Sequence, residues 1–231
     1  MNFPPLPSVV EIITHFNRSL RESHCDDSPY RHWLMQDVLP VSLASAVLML
    51  PIAPPQIVDH GNNHGVRDRE NNPKRAFFTP TLRQDFPTCQ VFAEAMQSPE
   101  VARRFAATCN IPLDGSFLRM EYIQDTDGAW LEPHHDVPEK LFSLVIYLCT
   151  GPHARDWGTD IYDADKKWVG RSSAEFNSGV IFVPGDNTWH GFDPRPIIGV
   201  RRLLEINYVH PDWRDKNQLV PVPSNGIPRC H

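Results

Sequence analysis

Proline restricts the fold of this chain more than any other feature of its sequence. There are 23 prolines in 231 residues, about twice the usual share of roughly 5%. Because proline lacks the amide hydrogen that helices and central strands use, it interrupts both kinds of element. We therefore expect short elements joined by many shaped turns. The length suffices for one well-buried domain and is short for two.

The composition indicates an ordinary globular protein. Hydrophobic residues make up 41% and charged residues 22% of the chain, and no apolar run reaches the length of about 18 residues that a membrane span needs. The first residues lack the basic region and cleavage site of an export signal. The formal net charge of −6 disfavours a duplex nucleic acid as partner, because such a partner requires a dense basic face.

The cysteines favour a reducing compartment. They are odd in number and form no C-x-x-C pair, so neither a disulfide framework nor a structural zinc site has a basis in their spacing. We expect reduced thiols and a cytoplasmic protein. The five residues are Cys25, Cys89, Cys109, Cys149 and Cys230.

The first stretch of the chain, residues 1–111, is predicted to be partly helical. Apolar residues recur there at helical spacing. Ser8 has the side chain of an N-cap before the first such run, and Pro99 interrupts the last one. We expect helices over residues 8–20, 43–50 and 89–107.

Residues 60–75 are a polar segment within this stretch, rich in Asn, Gly and Arg. A segment of this kind is usually a surface loop and sometimes a lid over a site. If it approaches a pocket, its basic side chains would attract an anionic small molecule. These side chains are Arg67, Arg69, Lys74 and Arg75.

The second stretch, residues 117–209, is predicted to be β-structure. Apolar runs of strand length alternate there with turn residues such as Asp127-Gly128 and Pro184-Gly185. Several short strands of this kind favour an all-β sandwich or barrel over βαβ units. The expected strands lie at 117–123, 141–149, 179–184 and 200–209.

We therefore expect a single domain over residues 1–231, mainly β with flanking helices. Residues 1–111 would pack on the barrel as its N-terminal part, and residues 112–210 would form the core that holds the site. Residues 211–231 are rich in proline and would run along the surface as a tail.

The segment around His134 and Asp136 carries the clearest chemistry. In an extended backbone, side chains alternate between faces, so His134 and Asp136 project to one side and His135 points away. An imidazole and a carboxylate on one side can reach a single cation. The pair remains an ordinary surface turn unless a third ligand arrives from elsewhere in the fold.

His190 is the candidate for that third ligand. It follows the Pro184-Gly185 turn and opens a strand-like segment, 54 residues after Asp136. Two histidines and one carboxylate on one face of a metal, with the opposite positions open, form the site of non-haem Fe(II) oxygenases. The open positions matter because a co-substrate and O₂ must both bind the iron.

The order of these residues resembles a known family. His134-x-Asp136, then His190 after a Pro-Gly turn, then an arginine in the following strand, is similar to the prolyl-hydroxylase-like branch of the Fe(II)/2-oxoglutarate-dependent oxygenases. The resemblance covers residues 117–209. It implies a double-stranded β-helix (jelly roll, cupin-like) core. It also implies that His134, Asp136 and His190 hold Fe(II) as the catalytic centre.

The same resemblance implies 2-oxoglutarate as co-substrate, with ascorbate as a candidate reductant. In the family an arginine in the strand after the distal histidine binds the far carboxylate of 2-oxoglutarate. Arg201 and Arg202 compete for this role, and alternation favours Arg201, because its face of the strand is the more polar one. Tyr122 is a candidate co-substrate contact, with a buried core tyrosine as the alternative. The family's Gly-Gly-x-Leu strand is matched here only by Gly158.

The predicted function is hydroxylation of a small-molecule metabolite, with O₂ and 2-oxoglutarate consumed and succinate and CO₂ released. Asp136 argues against a halogenase, since halogenases related to this family carry a small residue there. Three alternatives stay open. They are hydroxylation of a protein side chain, a cupin-type dioxygenase that needs no 2-oxoglutarate, and a binding protein without catalysis.

Overall fold

The computed structural model describes residues 5–55 and 75–220. Within them, two antiparallel β-sheets pack face to face and helices cover the outer face of the larger sheet. The strands are β1 His24–Asp26, β2 His32–Met35, β3 Arg75–Phe77, β4 Phe117–Asp125, β5 Leu131–His134, β6 Lys140–Tyr147, β7 Asp160–Tyr162, β8 Trp168–Arg171, β9 Ser178–Phe182, β10 His190–Phe192 and β11 Arg201–Val209. The helices are α1 Val9–Arg21, α2 Val41–Leu48, α3 Pro80–Asp85, α4 Pro87–Met96 and α5 Pro99–Cys109.

The larger sheet has seven strands in the order β1-β2-β9-β6-β11-β4-β3, and the smaller has four in the order β5-β10-β7-β8. Two antiparallel sheets with a few helices are the architecture expected from the sequence for a jelly-roll core, so the predicted fold class is confirmed. Consecutive strands of the chain alternate between the two sheets from β4 to β7, which brings residues distant in sequence to one cleft.

Strands β4 and β11 are adjacent interior strands of the larger sheet, and most of their residues are buried on both faces. They pair over nine residues, from Arg201 opposite Asp125 to Val209 opposite Phe117. Alternation along each strand places large apolar side chains under the helices and mostly polar ones toward the smaller sheet. The apolar set comprises Leu118, Met120, Tyr122, Leu204, Ile206 and Tyr208.

Local signals account for the helices. Ser8 caps α1, because its hydroxyl accepts the Glu11 amide and Glu11 in turn accepts the Ser8 amide, a capping box. The predicted break at Pro99 is real: α4 ends before it and α5 begins with it, since proline fits the first turn of a helix. None of the described helices is long and apolar enough to cross a membrane.

The first stretch also supplies strands to the larger sheet, which its sequence did not indicate. Strand β2 pairs with β9, and β3 pairs with β4 at the other edge. Both strands are four residues or shorter, so periodicity could not separate them from loop. Among the described residues, Cys25, Cys89, Cys109 and Cys149 are free, as expected.

Two predicted regions lie partly outside the described residues. Most of the polar segment 60–75 does so, and only Arg75 is described, as the first residue of β3. Of the tail, residues 221–231 also lie outside. The described part runs beside β4, where the Val220 amide donates to the Leu118 carbonyl.

Candidate metal centre

The pairing of β5 with β10 brings the two predicted histidines together. His134 and His190 are direct cross-strand partners, and their ring centroids lie 4.4 Å apart. Gly191 permits this pairing, because a Cβ at that position would lie 2.8 Å from the Leu131 carbonyl oxygen. The close approach of the backbones at this glycine thus sets the separation of the two imidazoles.

Backbone carbonyls hold both rings in one orientation. His134 Nδ1 lies 2.9 Å from the Glu132 carbonyl oxygen, and His190 Nδ1 lies 2.9 Å from the Thr188 carbonyl oxygen. If Nδ1 carries the proton in each ring, Nε2 presents a lone pair. This is the usual arrangement of metal-binding histidines. His135 instead packs edge-on against Trp189, with centroids 4.9 Å apart.

Asp136 follows β5 and completes the cluster. One ligand atom from each of His134, Asp136 and His190 lies within 4.8 Å of the others. Lys140 Nζ donates to Asp136 Oδ1 at 2.8 Å, and Ser143 Oγ donates to Asp136 Oδ2 at 2.9 Å. Both carboxylate oxygens are therefore held in position by side chains of β6.

The electrostatics keep His190 and Asp136 in their metal-binding forms. Burial lowers the pKa of His190 to about 4, and this effect outweighs the opposing attraction of Asp136. Burial also tends to raise the pKa of Asp136, but Lys140 and His190 reverse the direction and the pKa ends below its usual value. A neutral imidazole and an ionised carboxylate are the states that bind a metal.

The cluster opens into a cavity of about 840 Å³ between the two sheets. At the far end of the β4–β11 pair, Arg201 and Asp125 line the same cavity. Between the ligand cluster and Arg201, the cavity is lined by apolar side chains from three adjacent strands, Ile123, Val145 and Leu203. The cavity thus has a ligand cluster, an apolar strip and a guanidinium.

The structure brings Arg201 to the cavity and turns Arg202 away. Arg201 Nε donates to the Trp157 carbonyl oxygen at 2.6 Å, and its Nη1 donates to Asp125 Oδ2 at 2.5 Å. Arg202 Nε donates to Gln124 Oε1 on the opposite face, at 3.3 Å. Arg201 and Arg202 therefore lie on opposite faces of β11, and Arg201 faces the cavity as alternation predicts.

The co-substrate contact predicted for Tyr122 is corrected by the structure. Tyr122 is 1% exposed and lies in the core beneath the helices, on the face of β4 away from the cavity. Burial raises the pKa of its hydroxyl to about 12, despite the nearby Arg202. Its even-numbered position explains the placement, because the cavity receives the odd-numbered residues of β4.

A buried ion network that was not predicted from the sequence surrounds the cluster. Lys140 bridges Asp136 and Glu205, with Lys140 Nζ to Glu205 Oε1 at 2.6 Å. Glu121 Oε2 accepts from Arg75 Nη1 at 2.7 Å, and Glu121 Oε1 forms an ion pair with Arg119 Nη1 at 2.6 Å. The signal available was the alternation that places Arg119, Glu121 and Glu205 on the same faces as Asp125 and Arg201.

The single glycine of the predicted Gly-Gly-x-Leu position has a packing role. A Cβ on Gly158 would lie 1.7 Å from the Ser172 carbonyl oxygen. This contact lets the following residue, Thr159, reach Tyr147, whose hydroxyl lies 2.6 Å from Thr159 Oγ1. The bond joins the two sheets close to Arg201, which stands 5.8 Å from the Tyr147 ring centroid.

Comparison with solved structures shows the same fold in prolyl hydroxylases. The prolyl 4-hydroxylase of Phytophthora capsici matches with a TM-score of 0.62 at 15% identity, over 93% of this chain and 72% of that one. The prolyl-4-hydroxylase of Pseudomonas putida matches with a TM-score of 0.53 at 15% identity, over 86% and 99%.

A third match is the prolyl hydroxylase of Trichoplax adhaerens, solved in complex with a peptide fragment of the hypoxia inducible factor oxygen degradation domain. Its TM-score is 0.56 at 13% identity, over 87% of this chain and 88% of that one. At the level of sequence, no protein family and no curated protein matches the chain. The chain therefore has the fold of the prolyl-hydroxylase-like oxygenases.

Proposed function

We propose that the protein is a non-haem Fe(II)- and 2-oxoglutarate-dependent dioxygenase that hydroxylates a small molecule. The observation that carries the proposal is the convergence of His134, Asp136 and His190 within 4.8 Å in a cavity that Arg201 also lines. Two imidazoles and one carboxylate suit Fe(II) and leave coordination positions free. Iron bound there would supply the oxidative chemistry.

The protein's own groups would hold and orient the metal. Each histidine has its Nδ1 against a carbonyl oxygen, which leaves Nε2 for the metal. Lys140 and Ser143 fix the two oxygens of Asp136. Such partners orient a ligand and adjust its basicity, so the site is organised before any ion binds.

The rest of the cavity suits 2-oxoglutarate. A guanidinium stays charged when it is buried and matches the geometry of a carboxylate, so Arg201 would receive the far carboxylate. The apolar strip of Ile123, Val145 and Leu203 would contact the two methylene groups. A wall of apolar side chains also excludes water, which strengthens the ion pair with Arg201.

A small-molecule substrate is supported by the cavity itself. Its volume of about 840 Å³ falls within the range of about 300–1,000 Å³ typical of small-molecule sites. The indole rings of Trp130, Trp189 and Trp213 line it together with charged side chains. Aromatic walls with a few polar groups are common in such sites.

Hydroxylation of a protein side chain is the second candidate. It is favoured by the fold comparison, since the solved structures named above are prolyl hydroxylases and one contains a peptide. The two substrates are separated by mass spectrometry after turnover, as a gain of one oxygen on a metabolite or on a proline-containing peptide. A screen in which only peptides gain oxygen would overturn the small-molecule proposal.

The reaction class is tested by succinate formation from 2-oxoglutarate with Fe(II), ascorbate and O₂. We expect turnover by the wild type and its loss in His134→Ala and Arg201→Ala. The matched controls are His135→Ala and Arg202→Ala, which replace the sequence neighbours of His134 and Arg201. Both should retain turnover. Oxygen uptake with substrate but without 2-oxoglutarate would indicate a cupin-type dioxygenase. Fe(II) binding without turnover on any substrate would indicate a binding protein.

A further inference from the structure

Arg201 already has an anionic partner from within the chain. Asp125 is its direct cross-strand neighbour on β4, and the Asp125 Oδ2 to Arg201 Nη1 distance is 2.5 Å. The side chains of Arg201 and Asp125 are only 8% and 15% exposed. The pair therefore lies in a region where water screens the charges weakly.

The remaining contacts of Arg201 fix the guanidinium in place. Its Nε donates to the Trp157 carbonyl oxygen, and its Cζ lies over Phe192 at 4.2 Å from the ring centroid. Arg195 stands over the same ring at 4.3 Å. Arg201 thus has two contacts that do not involve Asp125, and Asp125 adds a counter-charge to them.

We propose that Asp125 is a specificity-determining residue that weakens binding of the co-substrate's far carboxylate at Arg201. This inference rests on the proposed function. A second carboxylate arriving at Arg201 must either share the guanidinium with Asp125 or displace it. In both cases two like charges approach each other in a poorly screened place, and the affinity falls.

The effect is specific to the far carboxylate of the co-substrate. The keto acid end would bind at the metal, at the opposite side of the apolar strip, and does not meet Asp125. Replacing Asp125 with asparagine keeps a side chain of the same shape and removes one negative charge. The co-substrate carboxylate then becomes the principal counter-ion of Arg201, so we expect tighter binding.

The test is binding of 2-oxoglutarate to the full chain loaded with Mn(II) under anaerobic conditions, measured by titration calorimetry. Asp125→Asn should lower the Kd for 2-oxoglutarate by about tenfold or more. Glu139→Gln is the matched control, since Glu139 lines the same cavity near Lys140 at the other end of the sheet. It should leave the Kd within about twofold.

A second ligand separates the effect of the far carboxylate's charge from any general effect of the substitution on binding. 2-Oxopentanoate has the same chain length and keto acid end but a methyl group in place of the far carboxylate. Asp125→Asn should not tighten its binding. Equal or weaker 2-oxoglutarate binding in Asp125→Asn, with binding intact in the wild type, overturns this inference and leaves the proposed function standing. Absence of 2-oxoglutarate binding in both proteins overturns the proposed function as well.

Discussion

Lys140 Nζ lies 2.8 Å from Asp136 Oδ1, so a buried ammonium stands beside one of the three candidate metal ligands. The same ammonium lies 2.6 Å from Glu205 Oε1. Lys140 therefore supplies the positive charge that two buried carboxylates require. A divalent cation bound by Asp136 would supply part of the same charge.

Replacing Lys140 with methionine should destabilise the metal-free protein. Methionine has a similar length, but Asp136 and Glu205 lose their shared cation, and breaking such a buried pair costs about 3 kcal/mol. A bound divalent ion would compensate at Asp136. We therefore expect the rise in Tm on adding Mn(II) to be larger in Lys140→Met than in the wild type.

The measurement is thermal unfolding with and without metal, in protein first treated with a chelator. Lys167→Met serves as control, because Lys167 is 76% exposed and should change neither the stability nor the response to metal. A Lys140→Met protein as stable as the wild type without metal would show that Lys140 does not balance the two carboxylates.

Ser143→Ala should weaken metal binding with little effect on the fold. Ser143 Oγ donates to Asp136 Oδ2 at 2.9 Å and accepts from Asn207 Nδ2 at 3.0 Å. Loss of a group that orients a ligand typically reduces metal affinity by about 10- to 100-fold. Competition with a fluorescent chelator measures the Kd for Mn(II) or Zn(II). An unchanged Kd would contradict the orienting role.

Ser173→Ala is the matched control for this variant. Its hydroxyl donates to Glu175 in a turn away from the cluster, so the Kd for the metal should stay at the wild-type value. The wild type and both variants should give the same circular dichroism spectrum, which confirms that the affinity is compared between equally folded proteins.

The His134–Asp136 pair and the direction of the Arg201 side chain could be predicted from sequence, because their signals are local or follow the period of a strand. His134 and Asp136 are two residues apart, and the odd-numbered positions of β11 place Arg201 toward the cavity. The strand boundaries were also near the observed ones, as with residues 117–123 against β4. Each of these inferences needs only the alternation of side chains and the turn residues.

The remaining features depend on contacts between distant segments. From sequence, Tyr122 stayed open between a co-substrate contact and a core tyrosine, because the pairing of β4 decides which face it occupies. The partnership of Asp125 with Arg201 spans 76 residues, and that of Lys140 with Glu205 spans 65. Pairings of this range are set by sheet register, and register is fixed by the whole core rather than by any one segment.

Gly158→Ala should destabilise the protein through a steric clash. A Cβ there would lie 1.7 Å from the Ser172 carbonyl oxygen, and backbone cannot move aside as a flexible side chain can. Overpacking of this kind costs about 3 kcal/mol. Gly170→Ala is the matched control, because its Cβ would meet nothing within 4 Å. Urea denaturation of both variants gives the two free energies of unfolding, and equal values would contradict the prediction.

The acid sensitivity of the fold should depend on Glu205. Burial alone would raise the pKa of Glu205, but Lys140, Arg119 and Arg75 outweigh it and hold the pKa well below 4.5. The folded state therefore favours the ionised form more strongly than the unfolded state does. The resulting stability is fully present above about pH 4.5 and is lost as the pH falls through the folded-state pKa.

Glu205→Gln removes this dependence and so tests it. At pH 7 the variant should be about 3 kcal/mol less stable, because three neighbouring cations lose one buried anion. As the pH falls below 4.5, Glu205 takes up a proton in the unfolded wild type while the folded protein keeps it ionised, so the difference in stability between the two proteins should shrink. The measurement is urea denaturation from pH 7 to pH 3, with Glu139→Gln as control. A difference that stays constant over this range would show that Glu205 is not held in its ionised form by the three cations.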